Sequence, residues 1–251
     1  MSATPDIGGG QPPWLLLFDI DGTLMTGATR AHAQSLREAL HTVHGVDAGA
    51  VRDPPTPAGR TDGEIARLIL IAAGVSAERI DERAAEVRMR CCERYARMAN
   101  EDLSHTVVPG VAALVAELAG RRDVRLGLVT GNYEPVARLK LRQAGLERPF
   151  SSCPGGFGSD SEDRAALPGI ARRRAGPPGH PQPRERTVVI GDTPRDIACA
   201  QADGVRCLAV TTGPHRAGEL SAADGVVTTA AELRAAILQL AGGTAEAAAK
   251  A

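Results

Sequence analysis

The sequence predicts an α/β fold: a parallel sheet with helices on both faces, interrupted near its start by an all-helical insertion. Three observations lead there. Short β-branched or Leu-rich runs at 14–18, 125–129, 187–190 and 206–211 end in turn or polar residues, as strands do. Helical patterns at 111–118, 135–144, 167–174 and 197–202 lie between the later runs, and such alternation implies a parallel sheet. From about 26 to 106 the alternation stops. There AHAQSLREALHTVHGV, GEIARLILIAAGV and ERIDERAAEVRMRCCERYARMAN are each apolar at helical spacing, with no strand between them.

The totals fit that outline. The 251 residues suffice for one large domain or a core with a smaller inserted one. Aromatics make up only 2%, so Leu, Val, Ile and Ala must build the core. A formal charge of -1 gives no reason to expect nucleic acid or an anionic membrane as partner. No apolar stretch is long enough to span a bilayer, and no N-terminal segment has the layout of a signal peptide. The five cysteines (91, 92, 153, 199, 207) have no metal-ligand spacing and form no even disulfide set. Reduced thiols in a cytoplasmic protein, monomer or homodimer, are the expectation.

The elements follow in order. MSATPDIGGGQPP (1–13) is Gly/Pro-rich and reads as a disordered N-terminal segment. WLLLF then runs into Asp19-Ile20-Asp21-Gly22-Thr23, where the strand period puts both aspartates on one side. Like charges so close need a cation, a shared proton or water. In the insertion, Arg60 of PAGRTDGEI is either a substrate ligand or part of a turn capped by Thr61. His32, His41 and His44 have no carboxylates at ligand spacing and read as surface or interface residues. Asn100 to Pro109 return the chain to the sheet. Strand two ends in Thr130-Gly131-Asn132, and the next helix, ARLKLRQAGL, carries Lys140, the only lysine besides Lys250. Residues 176–186 form a Pro-rich surface loop. GDTPRD, holding Asp192 and Asp196, follows the strand at 187–190 and suits a helix start at Thr193-Pro194. The last helical pattern finishes near Leu240, leaving 241–251 as a flexible tail.

Asp19, Asp21, Thr130 and Asp192 thus fall at carboxyl ends of strands, where ligand sites of parallel sheets lie. Neighbouring strands are roughly 5 Å apart, so the tips can converge. Clustered carboxylates, one hydroxyl and free backbone N–H groups suit Mg²⁺ together with a phosphate.

In order along the chain, DIDGTL, LVTGN and GDTPRD resemble the first, second and fourth motifs of the haloacid dehalogenase-like superfamily. The insertion resembles the helical cap of the subgroup that includes phosphoglycolate phosphatases and β-phosphoglucomutases. That resemblance implies a Rossmann-like core at 14–25 and 107–240, with a helical cap at 26–106. It implies a Mg²⁺-dependent phosphatase acting on a small-molecule phosphate ester. Asp19 would be the nucleophile that forms an aspartyl-phosphate, and Asp21 the acid/base. Asp19, the backbone carbonyl of Asp21, and Asp192 would hold Mg²⁺, with Asp196 behind them or in weaker contact. Thr130, Gly131 and Asn132 would bind phosphoryl oxygens.

The third motif departs from the pattern. Many relatives carry Lys-Pro there, whereas this chain reads GGFGSDSEDRAALPGI, without lysine. Lys140 is the favoured replacement cation and Arg164 its rival, although Arg164 beside Glu162 and Asp163 also reads as a solvated charge cluster. Two other functions stand beside the phosphatase. A β-phosphoglucomutase-like mutase would need a second phosphate site, for which Arg60 is the candidate. A catalytically idle binding protein would retain the fold alone.

Overall fold

The structure, a computed structural model, describes residues 11–99 and 101–248, with side chains described as far as Ala241. Six strands form one parallel sheet: β1 (Trp14–Phe18), β2 (Val124–Thr130), β3 (Gly155–Phe157), β4 (Thr187–Gly191), β5 (Arg206–Val210) and β6 (Gly225–Val227). Their order is β3-β2-β1-β4-β5-β6. The central strand β1 pairs on both sides, with Leu16 opposite Leu126 of β2 and Val188 of β4. A strand covered on both faces needs carbon on both, hence the unbroken WLLLF.

The strand period divides the core in two. Trp14, Leu16 and Phe18 share a cluster with residues of α4 (Val111–Ala119), α5 (Glu134–Gln143), the single turn α6 (Glu147–Phe150) and α9 (Ala230–Ala248). Leu15 and Leu17 face the other way, onto α7 (Leu167–Ala175) and α8 (Pro194–Asp203). Between β1 and β2 lie α1 (Arg30–His44), α2 (Asp62–Ala72) and α3 (Ala77–Met98), with a third apolar cluster built on Leu36, Leu40, Leu70, Ile80 and Val87. That cluster also takes in Tyr133 and Val136 next to the sheet. The chain leaves and re-enters the sheet side by side: Thr26 N donates to the Thr106 carbonyl (2.8 Å), and Val108 N to that of Leu24 (3.0 Å).

Several boundaries differ from the sequence reading. β3 and β6 are added at the sheet edges; each has three residues and no alternation to reveal it. α8 begins at Pro194 with Thr193 as its cap, the start that Thr193-Pro194 suggests, and Thr193 and Asp196 form a capping box there. α9 continues through the expected flexible tail to Ala248, since GGTAEAAAKA is largely strong helix formers. Residues 249–251 lie outside the described residues, as do 1–10 of the expected disordered segment. Residues 11–13 are described, and Gln182 Nε2 donates to the Pro13 carbonyl (2.6 Å). Among the described residues, no helix is long and apolar enough to cross a membrane. All five cysteines are free.

Candidate active site

β1 delivers Asp19 one residue past its end, where Asp19 N donates to the Ile190 carbonyl of β4 (2.9 Å). Its carboxylate accepts from Ile20 N at Oδ1 (2.7 Å) and from Arg164 Nη2 at Oδ2 (3.0 Å). The same Nη2 makes a very short contact with Asp196 Oδ1. Arg164 is therefore not the solvated residue its acidic neighbours in sequence indicated: it is buried, with its charge committed to two buried carboxylates.

Asp196 is held by its own helix start, accepting from Thr193 N (2.9 Å) and Thr193 Oγ1 (2.7 Å). Asp192, at the end of β4, accepts from Thr23 Oγ1 (3.1 Å). A carboxylate oxygen from each of Asp19, Asp192 and Asp196 lies within 4.8 Å of the other two. Gly22, at φ +89°, passes so close that a Cβ there would stand 2.2 Å from Asp192 Oδ2. Only glycine lets the turn after Asp21 press against the cluster.

Asp21 belongs to a separate network. Lys140 Nζ donates to both of its oxygens (2.9 and 2.7 Å) and to Asn132 Oδ1 (2.8 Å). Asn132 Nδ2 in turn donates to Asp21 Oδ2 (2.9 Å) and Thr130 Oγ1 (2.7 Å). Lys140, the favoured replacement cation, is fully buried, and the carboxylate it meets is that of Asp21. Arg164 stands beside Asp19 instead. Gly131 lies under the insertion, where a Cβ would stand 2.0 Å from the Arg60 carbonyl. Arg60 itself is paired with Glu64 and donates from Nε to the Thr56 carbonyl (3.1 Å). Thr61 Oγ1 accepts from Glu64 N (3.1 Å), capping α2.

Asp62 is passed over in the sequence reading, and His32, read as a surface or interface residue, is buried beside it. Asp62 N donates to the Gly131 carbonyl (2.8 Å), and Asp62 Oδ2 accepts from Tyr133 N (2.7 Å), tying α2 to the β2–α5 loop. His32 Nε2 lies 3.0 Å from the same oxygen. The histidine thus has a carboxylate partner thirty residues away, which local spacing could not show. Asp160, another residue of the β3 loop, is ion-paired with Arg174.

Electrostatics separate the two networks. Burial pushes the Asp19 carboxyl up to about 6 although Arg164 pulls it down, with Asp196 and Asp21 adding to the rise. Burial, then Asp19 and Asp196, push Asp192 up to about 8. Burial also raises Asp21, but the Lys140 ammonium and its hydrogen bonds more than offset this, leaving Asp21 below its ordinary value. The carboxylate cluster thus carries more negative charge than Arg164 offsets. An all-oxygen donor set short of positive charge fits a hard divalent cation.

A pH dependence follows. Unfolded, Asp19 and Asp192 ionise near 3.8; folded, they keep their protons to about 6 and about 8. Between those limits the folded chain binds more protons, so the stability these groups contribute is present at low pH and lost as pH rises to about 8. In EDTA, melting temperature should fall from about pH 5 to about pH 8, and a millimolar divalent cation should flatten that slope. A metal-free melting curve that rises or stays level over this range would contradict the assignment.

Comparisons with known proteins identify the family. The family model for haloacid dehalogenase-like hydrolases matches residues 16–201. A phosphoglycolate phosphatase of Rhodospirillum rubrum is 31% identical over 215 residues, covering 81% of this chain and 82% of the relative. The tyrosine-protein kinase PtkA of Mycobacterium tuberculosis is 30% identical over 240 residues, covering 91% and 74%. Among solved structures, CbbY from Rhodobacter sphaeroides in complex with phosphate superposes with a TM-score of 0.61 at 23% identity, covering 88% of this chain and 96% of that one. A β-phosphoglucomutase from Clostridium difficile gives 0.62 at 17%, covering 92% and 98%. The chain belongs to the haloacid dehalogenase-like hydrolase family.

Proposed function

We propose that the protein is a Mg²⁺-dependent phosphatase that hydrolyses a small phosphorylated metabolite through an aspartyl-phosphate on Asp19. The observation that carries this reading is the pairing of two networks across one cavity. Asp19 sits in the carboxylate cluster with Arg164, and Asp21 sits with Lys140, Asn132 and Thr130. An Asp19 oxygen attacks phosphorus and the ester oxygen departs, taking its proton through Asp21, which first receives it from the monoanionic phosphate of the bound ester. Water then attacks the acyl phosphate, with Asp21 accepting the proton, and inorganic phosphate leaves. Lys140 and Asn132 hold Asp21 ionised in the resting enzyme, the form that second step requires. Thr130 Oγ1 and the Gly131-Asn132 backbone bind phosphoryl oxygens, and Arg164 offsets charge on the Asp19 side.

Asp19, the Asp21 backbone carbonyl and Asp192 would hold Mg²⁺, with Asp196 behind them; once bound, it offsets the carboxylates and the charge on the transferring phosphoryl group. Residues 26–106 act as a cap over the core of 14–25 and 107–240, excluding bulk water from the reaction. The similarity to phosphoglycolate phosphatases supports a small ester as substrate. Arg60 is committed to Glu64, which weighs against the second phosphate site of a mutase.

The similarity to PtkA favours one second reading, phosphoryl transfer to tyrosine. The chain's own tyrosines, Tyr95 and Tyr133, are buried, so an acceptor would have to be another protein. The test measures phosphate released from a panel of small esters, with Mg²⁺ or EDTA, beside ATP with a tyrosine-containing copolymer. Mg²⁺-dependent release that EDTA stops is the expected result. Label moving to the copolymer without ester hydrolysis would favour the second reading. A saturating divalent cation, at about a hundred times its Kd, should also raise stability by about 2.7 kcal/mol.

A further inference from the structure

The cavity between the insertion and the strand tips is larger and more apolar than a two- or three-carbon substrate needs. Its volume is about 760 Å³, within the ~300–1,000 Å³ range typical of sites for drug-sized ligands. One end holds Asp19, Asp21, Thr130 and Asn132. The insertion side is walled by Leu36, Val51, Pro54, Pro55, Ile65 and Ile69. Of the polar side chains on that side, His32 is committed to Asp62 and Arg60 to Glu64, and Thr26, Thr29 and Arg37 line its exposed margin.

We propose that the substrate is the phosphate monoester of a bulky apolar alcohol, its hydrocarbon lying against α1, α2 and the segment between them. This deepens the phosphatase reading and rests on it. A sugar or polyol would bury hydroxyls against these side chains, and each hydroxyl left without a partner weakens binding. A two-carbon acid would leave most of the wall in contact with water, giving up the gain from burying it. An apolar leaving group meets carbon on the insertion side and presents only its phosphate to the strand tips.

The test compares esters of primary alcohols, so that leaving-group reactivity stays nearly constant. Burial contributes roughly fourfold per methylene-sized group, so half a phenyl ring entering the cavity is worth about sixtyfold. The kcat/KM for 2-phenylethyl phosphate should exceed that for ethyl phosphate, phosphoglycolate and glucose 6-phosphate by at least about thirtyfold. Ile65→Asn should cut the phenylethyl-to-ethyl ratio to below about fivefold, with a melting curve run alongside to establish folding. Calorimetry with 2-phenylethylphosphonate and ethylphosphonate should show the same preference without turnover. Equal binding of the two phosphonates, or preference for phosphoglycolate, a sugar monophosphate or a sugar bisphosphate, overturns the proposal while leaving a phosphatase. Hydrolysis of none of the esters overturns the phosphatase reading, and the phosphonate pair still decides whether the cavity selects hydrocarbon.

Discussion

Asp19→Asn should lower phosphate release by at least about 10⁴-fold while leaving the protein folded. Asparagine keeps the volume and shape of the side chain and one acceptor oxygen, enough for either Ile20 N or Arg164 Nη2 but not both. What it removes is the carboxylate that must bond to phosphorus. The substitution also takes one of three clustered charges away from a site where burial already disfavours ionisation. In EDTA near pH 8 the variant should therefore melt above the wild type, and its melting temperature should depend less on pH. Turnover within about a hundredfold of wild type would assign the nucleophile elsewhere. A variant that is inactive but also unfolded would not meet the expectation, so the melting curve belongs in the same experiment.

Arg164→Met should produce the largest loss of stability. Arg164 is 7% exposed at its side chain, and its partners Asp19 and Asp196 are 6% and 0% exposed. Removing one member of a buried ion pair leaves the others desolvated and unpaired, at a cost of about 3–5 kcal/mol. For a chain of this length that corresponds to a fall in melting temperature of roughly 6–20 °C. The loss should be greater at pH 8 than at pH 5, because protonation of Asp19, whose carboxyl burial pushes up to about 6, relieves its unpaired charge. Activity should fall about 10²–10³-fold, the scale expected for losing one fixed group that stabilises charge in the transition state. A melting temperature within about 2 °C of wild type would show that water or a mobile ion already offsets these charges.

These two residues show how unevenly the site was legible in the sequence. Asp19 could be read because an apolar strand ending in a charged pair is a local pattern, and the strand period alone places it at the sheet edge. Arg164 was misread because Glu162 and Asp163 stand beside it in the chain. Side chains one or two residues apart point in different directions. Glu162 pairs with Arg67 and Asp163 caps the turn at Ala165, leaving the guanidinium for the carboxylates on the other side. Lys140 was singled out by scarcity, but no pattern in ARLKLRQAGL names a partner 119 residues earlier. The sheet divides the same way. The four longer strands announce themselves by runs of apolar residues, whereas β3 and β6, three residues each, owe their conformation to the neighbour they pair with.

Trp14 opens β1 at the opposite end of the strand from Asp19, buried and flanked by the guanidinium groups of Arg186 and Arg206. It is the chain's only tryptophan. Five residues of extended strand put it roughly 16 Å from the nucleophile position. Its fluorescence therefore reports whether the centre of the sheet is intact and stays silent on what occupies the cavity. Unfolding can be followed optically in the presence of any phosphate ester or cation, with no signal from the ligand mixed into it.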